Sequence, residues 1–116
     1  MRKALVVLFA AVVLFSVTVP VFAHHAFAAE FDAAKPVKFK GTVTKMEWIN
    51  PHAWIHIDVK GEDGKVESWM IEAAAPNALL RRGWTKNSLP AGSEIVVEGY
   101  KAKDGTNRAK DRKSVV

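Results

Sequence analysis

Four histidines are the residues best suited to chemistry in this chain: an adjacent pair, His24-His25, and a second pair four positions apart, His52 and His56. Imidazole exchanges a proton near neutral pH and is a common metal ligand. If the chain is cut after Ala23, His24 becomes the amino terminus and offers both its α-amino group and its ring. The amine titrates at ~7.7–8.0 and imidazole at ~6.5, so both lose their protons close to neutrality. An all-nitrogen donor set favours copper(II), which accepts a tetragonal arrangement. His25 adds a third nitrogen, and His52 or His56 is a candidate to complete the set. These last two cannot share one ion along a straight strand, where four residues span ~13 Å. A solvated terminus at His24 and His25, with His52 capping a strand, would account for the same residues without any metal.

The cut itself is expected from the first 23 residues. Arg2 and Lys3 form a positive start, Ala4 to Val19 an apolar stretch, Pro20 a helix breaker and Val21-Phe22-Ala23 a small-residue cleavage pattern, the order of a secretory signal. The apolar run is short of the ~20 residues of a comfortable membrane span. Export to the periplasm or medium with cleavage is therefore expected, leaving no stable membrane anchor. Ala26-Phe27-Ala28 is a second cleavage pattern, ranked behind the first, and cutting there would remove both amino-terminal histidines. Cleavage after Ala23 leaves 93 of the 116 residues and lowers the formal charge from +5 to +3. With no cysteine there is no disulfide, thiol nucleophile, thiolate metal site or thioether lipid anchor.

The tryptophans are the second signal. Trp48, Trp54, Trp69 and Trp84 are many for so small a domain, and core packing is the plain reading of Trp69 and Trp84. Trp54 sits between His52 and His56 and shares their strand parity, so Trp54, His52 and His56, with Trp48 and the basic pair Arg81-Arg82 nearby, form a candidate ligand or partner face. Catalytic signals are weak. There is no G-x-S-x-G, H-E-x-x-H or phosphate loop. Glu30, Asp32, Glu47, Asp58 and Glu72 have no spacing that pairs them, and Ser68 with His56 lacks an orienting acid. No catalytic residue is assigned and an enzyme is not expected. The basic stretch Lys101 to Lys113 reads as a solvated loop, and export argues against a nucleic-acid partner.

These residues need elements to position them. After the lead-in 24–36, Val37, Phe39, Gly41 and Val43 alternate with polar residues, predicting a strand from Val37 to Trp48 with a bulge or bend at Gly41. Asn50-Pro51 is a turn signal. A second strand is predicted from about Ala53 to Lys60, with Ala53, Ile55, Ile57 and Val59 inward and His52, Trp54, His56 and Asp58 outward. Gly61 to Gly64 makes a hairpin loop into a third strand, Lys65 to Glu72. Pro76 to Arg82 reads as a short helix stopped by Gly83. A fourth strand is predicted over Glu94 to Lys101, and a fifth beginning at Ser114. Three strands, a helix and two more strands are the order of a small, mainly β, OB-like five-stranded barrel, partly open, with one short helix between strands three and four and a signal-peptide helix in front. A small open β-sandwich is the competing architecture.

Taken together, His24-His25-Ala26-Phe27, Trp48-Ile49-Asn50-Pro51-His52-Ala53-Trp54 and Arg81-Arg82-Gly83-Trp84 make the chain resemble a family of small exported bacterial proteins known only as a domain of unknown function. The resemblance implies export and a small β-rich domain and assigns no activity to any residue. The expected function is an exported binding module, with copper(II) at the amino-terminal histidines as its sharper form. The alternative is an interaction or structural module whose His/Trp face docks an envelope protein without metal.

Overall fold

The computed structural model describes residues 27–115, with side chains through Arg112. The expected signal segment, its preferred cleavage point, His24 and His25 lie outside the described residues. Residues 27–30 are helical. Five strands follow, β1 (Phe31–Glu47), β2 (Trp54–Lys60), β3 (Val66–Glu72), β4 (Glu94–Ala102) and β5 (Arg108–Val115), with helix α1 (Pro76–Arg81) between β3 and β4. The strands close into a ring in the order β1-β2-β3-β5-β4, with β4 returning to β1. All pairings are antiparallel except β3 with β5. This is the OB-type order expected from the sequence, and the ring is closed rather than partly open.

β1 is the spine of the ring, because it pairs with β4 through Thr42 and with β2 from Thr42 onward. It starts earlier than the alternation suggests. Phe31 is buried and pairs with Ala102, and residues 32–35 bulge before the register resumes at Pro36. Asp32 accepts the Ala34 amide within this bulge, a local turn that hides the strand from a period-two reading. The bulge expected at Gly41 is instead at Thr44, where the register against β2 shifts between Val43 and Lys45. Gly41 has a different task. A Cβ there would meet the Asp58 carbonyl and the Ile57 side chain at 3.0 Å, so its small size lets β1 and β2 approach.

The core is the inside of the ring. Val43, Ile57, Ile71, Ile95 and Val97 are its largest fully buried side chains. Trp69 joins them, with its ring centroid 4.4 Å from that of Phe39 and the Lys101 ammonium 6.0 Å from its centroid. Its indole Nε1 is buried without a hydrogen-bond partner among the described residues. Trp48 and Trp84 are partly buried against the same cluster, which agrees with the packing role read for Trp84 and adds Trp48 to it.

The helix ends where Arg82-Gly83-Trp84 dictates. Gly83 takes a φ of +86°, its amide donates to Leu80 O, and the Trp84 amide donates to Leu79 O. That pair of bonds is a Schellman stop, which brings Trp84 beside Leu79. The basic stretch after Lys101 is not a loop throughout. It turns at residues 103–107, and β5 begins at Arg108, six residues before the expected start. Lys and Arg alternate there with Ala109 and Asp111, so charge masks a strand whose inward residue, Ala109, is fully buried. No helix among the described residues is long and apolar enough to cross a membrane.

Candidate functional site

The register of the strands arranges the outward side chains of the ring into rows. Glu47, Trp54, Glu72 and Lys110 face one another across β1, β2, β3 and β5; Lys45, His56, Met70 and Arg108 form the next row; Thr42, Asp58 and Ser68 form a third. His56 and Trp54 therefore share the outer face, as the alternation requires, while Ala53, Ile55 and Ile57 are buried inside.

The first row contains the one buried charged side chain among the described residues, Glu72, which is 6% exposed. A carboxylate is buried at high cost unless it is paired and hydrogen-bonded. Glu72 is both. Its Oε1 receives His52 Nδ1 at 2.7 Å and Lys110 Nζ at 3.0 Å, and the same ammonium lies 3.4 Å from Ala73 O. With Nδ1 turned to the carboxylate, a neutral His52 ring presents Nε2 on its other side as an acceptor, and the side chain is 44% exposed. A carboxylate behind an imidazole in this way orients it, as it does behind metal-bound histidines.

His56 has a separate acid. Its Nε2 lies 3.1 Å from Glu47 Oε1, and Lys45 Nζ reaches the same oxygen at 2.9 Å. The hydrogen bond from Lys45 holds the Glu47 carboxyl below the ordinary glutamate range, and the charges of Lys45 and His56 act in the same direction. Because the folded value is depressed, this contribution favours the fold above the ordinary range and fades as pH falls through the folded value. Lys45→Met is expected to move the Glu47 midpoint upward, read from the carboxylate carbon shift in a pH titration. An unchanged midpoint would mean that Lys45 does not hold Glu47 in solution.

His52 and His56 thus face different carboxylates. No group of three or more His, Cys, Asp or Glu able to hold a metal occurs among the described residues. Ser68 donates to Asp58 at 2.9 Å rather than meeting His56. Arg81 is exposed on the last turn of α1, and Arg82 is exposed and lines a second pocket together with Ile55.

Beside the second row lies a groove of about 540 Å³ on the outer face of β2 and β3, closed on one side by the β4–β5 turn. Thr44, His56, Ser68, Thr106, Asn107 and Arg108 supply the polar part of its lining, and Ile57, Trp69 and Met70 the rest. Arg108 is fixed there, with its Nη2 3.1 Å from Asp104 Oδ2 and its Nε 3.2 Å from Thr106 Oγ1. Hydrogen bonds from Thr106, and then the Arg108 charge, hold Asp104 below its ordinary value. Sequence reasoning named His56 and Ser68 but missed Arg108, Asn107 and Lys110. Nothing in a basic, turn-rich stretch shows that it folds against a strand 38 residues earlier.

Fold and face define a small closed five-stranded β domain of the OB type with a largely apolar groove edged by polar side chains. The chain belongs to the Family of unknown function (DUF6152), whose model matches residues 11–111. No curated protein matches it.

Proposed function

We propose that this chain is an exported, non-catalytic binding module that takes its ligand in the groove over β2 and β3. The observation that carries this reading is the position of the groove. Strands two and three, together with the loop between four and five, are the face on which OB-type domains take oligonucleotides and oligosaccharides, and the groove occupies that place in this ring. Fold position is an analogy, and the lining makes it specific. Its three threonine and serine hydroxyls give their protons to His56 O, Asp58 and Asp104 and remain as acceptors, while the Asn107 amide and the pinned Arg108 guanidinium donate, a set suited to a ligand rich in hydroxyl and carboxylate oxygens. Export directs the choice to an envelope saccharide and away from nucleic acid.

Arg108→Ala is expected to weaken binding of uronic-acid oligosaccharides by about tenfold or more, the scale of one hydrogen bond to a charged group. Calorimetry against matched neutral and acidic oligosaccharides checks it. Absence of binding to either set by the unaltered chain would overturn the reading. A second reading is favoured by Trp54, which lies half-buried outside the core in the row between Glu47 and Glu72: the same face would dock an envelope protein through the accessible part of this aromatic. Copper(II) binding by the processed chain is a separate proposal that rests on His24 and His25.

A further inference from the structure

The Arg-Arg-Gly-Trp segment has a consequence beyond ending a helix. The Schellman stop sets Trp84 beside Leu79, and these two, with Met46, Ile55 and Ala73, form the apolar floor of a pocket of about 200 Å³. Arg82, Asp111 and Arg112 complete its lining. Both guanidiniums belong to exposed residues, and among the described residues neither is held in an ion pair with another side chain. Two arginines against one aspartate leave the rim with a surplus positive charge. The pocket shares no residue with the groove over β2 and β3.

We infer that this pocket is a second binding site, for a small amphiphilic anion: a carboxylate or comparable acid on a short apolar body. The apolar floor excludes a fully hydrophilic anion such as inorganic phosphate from its best contacts, because the floor would remain wet. The rim disfavours a neutral hydrocarbon by comparison, because guanidinium pairs with carboxylate through two parallel hydrogen bonds. The size sets the class. Drug-sized ligands occupy pockets of ~300–1,000 Å³, so about 200 Å³ suits a short acyl chain or a single ring. The arrangement comes from four separate parts of the chain: the end of β1 and start of β2 supply Met46 and Ile55, the residue after β3 is Ala73, the helix stop supplies Leu79, Arg82 and Trp84, and β5 supplies Asp111 and Arg112.

Octanoate and octan-1-ol are the probes, titrated into the full chain by calorimetry with amide shifts followed by NMR. Octanoate is expected to bind with shifts centred on Leu79, Trp84 and Arg112, and to bind more tightly than the alcohol. The double variant Arg82→Gln with Arg112→Gln, at two exposed positions, is expected to lose about tenfold or more in octanoate affinity while the alcohol's binding stays unchanged. No octanoate binding in the millimolar range, equal affinity for the alcohol, or an unaffected double variant would each overturn the inference. None of these outcomes bears on the groove, whose residues are different.

Discussion

Gly99→Ala is expected to destabilise the protein by about 3 kcal/mol or more, the upper part of the range for overpacking a close-packed site. Gly99 is buried in β4 at the point where the register against β5 shifts between Glu98 and Gly99. A methyl group there would collide with the Lys110 carbonyl, and the next atoms in its way are Lys110 C at 3.0 Å and Asp111 Cα at 3.4 Å. All are backbone atoms of β5. No rotamer change relieves such a contact, so the two strands must separate, and β5 is the strand that closes the ring. For a domain of this size the loss corresponds to a fall of about 12 °C or more in Tm. Thermal and urea unfolding check it, and a loss below about 1 kcal/mol would show that β4 and β5 do not approach this closely in solution.

The second large effect is expected at Glu72. The parallel seam between β3 and β5 has three register pairs, Met70 with Arg108, Ile71 with Ala109 and Glu72 with Lys110. The last carries an ion pair across the seam, with His52 on the same oxygen. Removing one member of a buried pair costs about 3–5 kcal/mol when the remaining charge cannot escape. Lys110 is 25% exposed and His52 44%, so both regain some water, and Glu72→Ala is expected to cost about 2–3 kcal/mol. Two further signatures separate this from the loss of a surface pair. The loss should persist at high salt, which screens exposed pairs such as Lys38 with Glu98 far more strongly than partly buried ones. A cycle with Lys110→Ala should also give a coupling of about 1 kcal/mol or more. A cost within about 0.5 kcal/mol would mean that closure at this seam is independent of Glu72.

Both effects concern β5, the element least visible in the amino-acid sequence. The alternation of Ala53 through Val59 was enough to put Trp54 and His56 on one outer face, because strand parity is local and repeats every two residues. Arg81-Arg82-Gly83 was enough to stop the helix, because a left-handed residue is the cheapest way to satisfy its last carbonyls. β5 offers no comparable local pattern. Its residues are mostly charged, one inward alanine carries its burial, and its partners are β4 and a parallel strand reached across a long connection. β1 was partly hidden for a related reason, since the bulge at residues 32–35 breaks the period that would have extended it back to Phe31.

The candidate site divides in the same way. His52, Trp54 and His56 were legible as a face, and their separation along the strand already argued against one shared ion. Their acids were not assigned. Glu47 reaches His56 through a register altered by the extra residue at Thr44, and Glu72 meets Lys110 across 38 residues of sequence. The groove likewise needs Asn107 and Arg108 delivered onto β2 and β3 by ring closure. Sequence by itself determined the order of the elements, the inward and outward faces of β2 and the end of α1, because each depends on contacts a few residues apart. Only the tertiary structure decided that the ring closes, which carboxylate holds which histidine and where the groove and the small pocket lie. Those features depend on register between distant strands, where a shift of one residue exchanges the two faces.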